Sequence, residues 1–280
     1  MKIGIYTNLN KDIGGVSTKT LYELLRNKKD CNVFLSAELQ QLNLDAVYLS
    51  KNILAQTCDV IVVLGGDGTI LRIAKECAIH GALIYAINLG SKGFLTEAEN
   101  IELKAQVDFL LLGEYSTDER QLLEVNFHEN TFFALNEVVL ARGSRVKTIR
   151  CEVRQNNELI DKYVADGVIV STPTGTTAYN LSVGGPIVAP DVPALIVTPI
   201  SAHSLHSKPV VLSDKNEINV CLLHADPYAH LSIDGEDVVK IIEGDAFCVK
   251  TSNLQAKFIR QNNYSFFERL SYKFRKWSEF

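Results

Sequence analysis

The chain has 280 residues, 46% of them hydrophobic and 22% charged, which allows one large soluble domain or two modest ones. A net charge of −5 provides no global positive field, so neither nucleic acid nor an anionic membrane is an expected partner. Phosphate chemistry would have to rely on local cations and backbone amides. Six cysteines stand singly, without a C-x-x-C pair, which fits neither a zinc site nor a disulfide framework. The alternating Met1–Tyr6 lacks the apolar core of a signal peptide, and no apolar run approaches the ~18–20 residues of a membrane span, so a cytoplasmic protein is expected.

In chain order, residues 2–7 read as a strand, Thr18–Arg26 as a helix and Cys31–Leu35 as a second strand. Asp59–Leu64 is a continuous β-branched run, as in a strand buried on both faces of a parallel sheet. Ile70–Ile79 has helical periodicity with Gly81 placed to cap it, and Ala82–Asn88 is the next buried strand. Strand, helix, strand in this order makes the first part α/β. A helical segment near 101–112 is expected to bridge to a strand-rich second part. There, Leu122–Phe127 and Phe132–Leu140 flank His128-Glu129-Asn130 as a hairpin. Further hairpins turn at Asn156-Asn157 and at Asp234-Gly235. Phe266–Trp277 is an amphipathic helix carrying Arg269, Lys273, Arg275 and Lys276, expected to dock on the first domain rather than on a membrane.

The most informative stretch is Gly65-Gly66-Asp67-Gly68-Thr69, directly after a buried strand and before a helix. Helix N-termini at the carboxyl ends of parallel strands present unpaired amides to anions, and glycines let a pyrophosphate approach. A carboxylate inside such a turn would repel phosphate, and it makes sense if it must touch a hydroxyl beside the phosphates. The plainer reading makes Asp67 an N-cap. Two rival motifs fail: Gly66, Gly68 and Leu71 lack the third glycine of a dinucleotide fingerprint, and Gly14 to Thr20 has Thr18 where a phosphate-binding loop needs glycine. A second constellation, Ser171 to Pro190, concentrates small hydroxyl residues around Gly175, preceded by Asp166-Gly167, while Asn136-Glu137 interrupts an apolar strand.

Taken together, Gly65–Thr69, Asn136-Glu137, Asp166-Gly167 and Thr172–Pro186, with Pro199-Ile200, His203-Ser204-Leu205, Pro209 and Asp234-Gly235 beyond them, resemble the hallmark motifs of the NAD kinase family in their usual order. The glycine turn alone is shared with diacylglycerol and sphingosine kinases, from which Pro173–Tyr179 separates the chain. The resemblance implies an N-terminal Rossmann-like α/β domain over 1–98, rejoined by 258–280, and a β-rich, β-sandwich-like NAD-binding domain over 99–257. It implies transfer of the terminal phosphoryl of ATP to the 2′-hydroxyl of the adenosine ribose of NAD, with Mg²⁺ entering on the ATP phosphates and no metal ligands of the protein's own. Asp67 would be the catalytic carboxylate. Gly65, Gly66, Gly68, Thr69 and Arg72 would line the phosphates, and Phe94 would pack against substrate. Asn136 and Glu137, with Lys147 nearby, would bind nucleoside groups, and Asp166 would contact the other nucleoside. Thr174, Thr177, Ala178, Tyr179 and Ser182 would line the adenosine pocket, and Asp234 would bind nucleotide. A homodimer or homotetramer is implied.

The sequence departs from the family pattern at Thr176 and His206, both usually serine, at Glu236, often glutamine, and at Val164-Ala165, where relatives carry an arginine. A lipid kinase and a non-catalytic NAD-binding regulator are the competing readings. The first needs an acyl channel that residues 166–186 do not suggest, and the second gains nothing from Asp67. His203 and His206 lack a third ligand and read as loop histidines.

Overall fold

The fold comes from a computed structural model and is described for residues 1–90, 93–96, 98–99, 102–143, 147–204, 206–261 and 264–277. It divides into two compact units, Met1–Glu119 with Gln255–Phe280, and Arg120–Leu254.

The first unit alternates β1 (Lys2–Thr7), α1 (Val16–Arg26), β2 (Asn32–Ser36), β3 (Val47–Leu49), α2 (Lys51–Thr57), β4 (Val60–Gly65), α3 (Asp67–His80) and β5 (Leu83–Asn88). The two-residue strand β6 (Ala98–Glu99) and helix α4 (Leu103–Leu112) follow. The sheet is parallel in the order β5-β4-β1-β2-β3. Every residue of β4 is buried, as its β-branched run requires. Gly81 closes α3 with φ 75°, in the left-handed region where glycine carries no steric penalty. Chain direction across the sheet reverses between β1 and β4: the first crossover runs from β1 outward to β2, and the later one returns from β3 to β4. Ligands of open α/β sheets bind at that switch point, outside the carboxyl ends of the strands.

The expected bridging helix belongs to this unit. Leu103, Val107 and Leu110 of α4 join Ile3, Leu21 and Leu25 in its core, so the division falls at Glu119/Arg120 rather than 98/99. Ile101 lies outside the described residues.

The second unit contains β7 (Ser116–Phe127), which enters it from the first, then β8 (Asn130–Ala134), β9 (Glu137–Arg142), β10 (Ile149–Gln155), β11 (Glu158–Ala165) and β12 (Gly167–Ser171). A short helix α5 (Tyr179–Ser182) precedes β13 (Ala194–Ile200), β14 (Val210–Ser213), β15 (Ile218–His224), β16 (Ala229–Ile233), β17 (Glu236–Ile241) and β18 (Ala246–Arg260). One antiparallel sheet runs β11-β10-β15-β18, and the other runs β14-β13-β12-β9-β16-β17. Cys151, Val153, Val220 and Val249 from the first pack against Leu140, Val168, Val170 and Leu231 from the second, giving a sandwich core. The Asn156-Asn157 and Asp234-Gly235 turns form as expected, all four residues at positive φ.

One predicted hairpin arm is corrected. Phe132–Leu140 is two strands: β8 pairs with β7, while β9 pairs with β12 and β16 of the other sheet. The break falls at Leu135-Asn136, whose amides bond to a side chain instead of a neighbouring strand.

The last strand returns the chain to the first unit, where Phe258 pairs with Ile84 of β5. There α6 (Phe266–Trp277) holds the 93–96 loop: Arg269 donates to the Thr96 carbonyl, and Lys273 lies 5.5 Å from the Phe94 ring centroid. The terminal helix docks on the first unit, as expected. Among the described residues no helix is long and apolar enough to cross a membrane.

Candidate active site

The glycine turn follows β4 at the switch point. Gly66 is the N-cap of α3, and its carbonyl accepts from the Thr69 and Ile70 amides at 2.8 and 3.2 Å. Thr69 folds back over the turn, so a methyl group on Gly65 would meet its Oγ1 at 2.3 Å. Asp67 is therefore the first helical residue and not the N-cap. Its carboxylate leaves the helix and accepts from the amides of Phe94 and Leu95, at 2.8 and 3.1 Å. Two of its roughly four lone-pair positions are occupied, and the others are available to a hydroxyl.

The 93–96 loop is built to hold that carboxylate. A Cβ on Gly93 would sit 1.9 Å from Asp67 Oδ1, so a side chain there would push the carboxylate off its two amides. The Gly93 amide donates to Thr96 Oγ1 at 3.1 Å. Arg260, only 1% exposed, donates to the Leu95 carbonyl at 2.9 Å and pairs with Asp118 at 3.0 Å. Burial holds the Lys273 ammonium below its usual value, and the Asp67 carboxylate opposes that shift from within electrostatic range. Sequence reading missed Gly93 and Arg260 and assigned Arg269 and Lys273 no function. Only the clustering of basic residues on a terminal amphipathic helix hinted at the last two. Arg72, one turn into α3, lines a polar cavity with Thr69 and Thr7.

In the second unit, Asp234 organises the Asn136-Glu137 bend. Its carboxylate accepts from the amides of Leu135, Asn136 and Glu137 at 2.7, 2.8 and 3.1 Å, and its own amide donates to the Glu137 carbonyl at 3.0 Å. Burial pushes the acid up to about 6 against the pull of those three amides. The side chain thus binds backbone and positions the Asn136-Glu137 bend. Glu137 is buried with Oε2 unpartnered, and burial, reinforced by Asp234, pushes it up to about 8. A buried polar atom without a partner is costly, and at a concave site it marks a place for a ligand group.

That burial carries a stability signature. Between about pH 4.5 and 8 the unfolded chain releases the Glu137 proton while the folded chain keeps it, so stability falls as pH rises through this window. Glu137→Gln has no proton to lose. It should melt several degrees above the parent at about pH 8 and close to it at about pH 5, on the order of 2–3 kcal/mol apart at the higher value. Melts followed by intrinsic fluorescence read this, and an equal gap at both pH values would exclude the buried acid as the cause.

The hydroxyl-rich loop sorts into two classes. Thr172 Oγ1 donates to the Leu135 carbonyl at 2.7 Å and accepts from the Gly175 amide at 3.0 Å. Thr176 Oγ1 donates to the Pro173 carbonyl at 2.6 Å and accepts from the Val188 amide at 3.1 Å. Thr174 accepts from Arg120 at 3.3 Å, and buried Asn180 takes the Thr198 hydroxyl at 2.6 Å. These groups hold the loop. A Cβ on Gly175 would come 2.2 Å from the Asn136 carbonyl, so the loop lies directly against the bend. Thr177 and Ala178 are half-buried, and Tyr179, 44% exposed, and Ser182 face outward with surface to offer a ligand.

Two expected residues carry ion pairs. Lys147 pairs with Asp226. Asp166 pairs with Arg142 of the neighbouring strand at 3.0 Å, which supplies a guanidinium although Val164-Ala165 do not. Among the described residues, no three His, Cys, Asp or Glu side chains converge on a metal-sized site.

The ATP-NAD kinase N-terminal domain family matches residues 7–115, and the ATP-NAD kinase C-terminal domain family matches 135–261. The chain is 37% identical to the NAD kinase of Thermoanaerobacter sp. (strain X514), over 96% of this chain and 97% of the relative. It is 32% identical to that of Natranaerobius thermophilus, over 97% and 96%. An Archaeoglobus fulgidus NAD kinase solved in complex with ATP superposes with a TM-score of 0.79 at 26% identity, covering 98% of this chain and 99% of that one. Yeast NADH kinase complexed with NADH gives a TM-score of 0.86 at 22% identity, over 94% and 84%, which speaks to the fold alone. From both domain families and these relatives, the chain belongs to the NAD kinase family.

Proposed function

We propose that this protein transfers the terminal phosphoryl group of ATP to the 2′-hydroxyl of the adenosine ribose of NAD, giving NADP and ADP. The observation that carries the proposal is the Asp67 carboxylate, fixed at the sheet's switch point by two backbone amides with acceptor positions to spare. In this reading Asp67 accepts a hydrogen bond from the ribose hydroxyl and takes its proton as the new P–O bond forms and the bond to ADP breaks. A carboxylate is a weak base for an alcohol, which phosphoryl transfer tolerates because its transition state is loose and depends on position and charge neutralisation. The turn amides, the α3 N-terminus and Arg72 supply positive potential. Mg²⁺ would enter with ATP and neutralise phosphate charge. A hard cation held mainly by phosphate and water needs no protein cage, and a single carboxylate in the turn fits that donor set.

Recognition of NAD follows from the second unit's chemistry. Asn136 and the orphaned Glu137 oxygen would take nucleoside hydroxyl or amide groups, and Asp166 the other nucleoside. Tyr179 would offer its exposed ring to the adenine beside Thr177, Ala178 and Ser182. A cytoplasmic homodimer or homotetramer is part of the same reading, supported by the family resemblance and the soluble-type composition. Purified protein given NAD, ATP and Mg²⁺ should produce NADP over many turnovers, read by an NADP-specific dehydrogenase. Activity on diacylglycerol with none on NAD would replace this reading with the lipid-kinase one.

A further inference from the structure

We infer that Arg120 is a positioning residue for NAD recognition: its buried guanidinium holds the Thr174 hydroxyl as a hydrogen-bond donor for an acceptor nitrogen of the adenine ring. The inference rests on the NAD reading above, in which Thr174 lines the adenosine pocket. Both residues belong to the second unit, Arg120 on β7 and Thr174 in the loop that follows β12.

The neighbouring hydroxyls set Thr174 apart. Ser171 donates to the Thr172 carbonyl at 2.8 Å and Thr172 to that of Leu135 at 2.7 Å, while Thr176 donates to Pro173 at 2.6 Å and Thr177 to the Thr174 carbonyl at 3.2 Å. Each directs its single proton to backbone, the ordinary behaviour of a short hydroxyl side chain with carbonyls in reach. Thr174 behaves otherwise. Its Oγ1 accepts from Arg120 Nη1 at 3.3 Å, and among the described residues its own proton reaches no acceptor. A guanidinium only donates, so Arg120 occupies a lone pair of the hydroxyl and can never take that proton. The side chain is only 7% exposed, which leaves the proton to a group bound beside the loop.

The arginine is itself out of place by packing standards. It is 3% exposed and alternates with buried Leu122, at a position of β7 where an apolar side chain would bury at less cost. Holding the loop does not require it either. Gly175, next to Thr174, already lies against the Asn136 carbonyl, so the backbone there is fixed by close approach. What the guanidinium adds is direction. With one lone pair taken by a rigid cationic donor, the hydroxyl is kept from turning onto a carbonyl as its neighbours do, and its O–H is polarised toward an outside acceptor. The ring nitrogens of adenine are acceptors of this kind, presented in the plane of the base.

The test is a double-mutant cycle in the full chain, with NAD affinity measured by calorimetry beside steady-state kinetics. Thr174→Val removes the hydroxyl at nearly equal volume and should weaken NAD by about threefold to tenfold, the size of one hydrogen bond. Arg120→Met should weaken it to a similar extent, raising the NAD KM while kcat and the ATP KM stay within about twofold. In the Thr174→Val background, Arg120→Met should add less than about twofold, because the group it acts through is already gone. Arg120→Lys, still a cationic donor, should lie between the parent and Arg120→Met. It runs the same cycle if the methionine variant fails to fold, and its loss too must vanish without the Thr174 hydroxyl. Losses that multiply in the double variant, a fall in kcat with the NAD KM unchanged, or a Thr174→Val affinity within about twofold of the parent would each overturn the inference. A parent that makes NADP while the two residues fail to couple loses this inference alone. One whose residues couple in NAD binding but which makes no NADP loses the kinase reading instead.

Discussion

Asp67→Asn should lower kcat by about 10²–10⁴-fold, the usual worth of a positioned general base, with little change in NAD KM. Shape is conserved, so the loss has two sources that can be separated. The amide cannot take the ribose proton. Its Nδ2 would also face one of the Phe94 and Leu95 amides, donor against donor, where the carboxylate accepts from both. The second effect loosens the 93–96 loop and appears as a lower Tm, whereas the first leaves stability untouched. Steady-state kinetics beside a thermal melt reads both. A variant within a few-fold of the parent in kcat would remove Asp67 from the chemistry.

Asp234→Ala should cost on the order of 3–6 kcal/mol in urea unfolding, because three backbone donors lose their acceptor together and each unmet buried donor costs about 1–3 kcal/mol. NAD affinity should fall in parallel, since Asn136 and Glu137 owe their bend to that carboxylate. Asp234→Asn retains one acceptor and should lie between. A loss under about 1 kcal/mol for the alanine variant would show that water or local rearrangement satisfies the amides, and the bend would then need another origin.

These two acids also mark where sequence reading succeeds and where it stops. The β-branched run of β4 and the glycines after it announce a parallel strand, a turn and a helix start within one short window. The Asn156-Asn157 and Asp234-Gly235 turns were legible because positive φ is a local demand. What escaped was long-range. Phe132–Leu140 looks like one strand because nothing local interrupts its apolar pattern, yet a carboxylate 97 to 99 residues away draws its amides out of the ladder. Gly93 looked like an ordinary loop glycine, since the atom that excludes a side chain there belongs to Asp67. The hydroxyl-rich loop stood out as a cluster without showing which of its hydroxyls hold backbone and which face outward. Whether a threonine faces a ligand or a carbonyl is decided by packing, and the sequence carries no periodic trace of it.

The clamp on the 93–96 loop also sets an order of events. Arg260 and Arg269 reach Leu95 and Thr96 across 165 and 173 residues of chain, and all of the second unit is threaded between. On the ribosome, the glycine turn and its acid emerge early, while the arginines that steady their support emerge only after the whole β-sandwich has been made. A nascent chain therefore carries Asp67 without that support through most of synthesis, and the first unit matures last, although it is begun first.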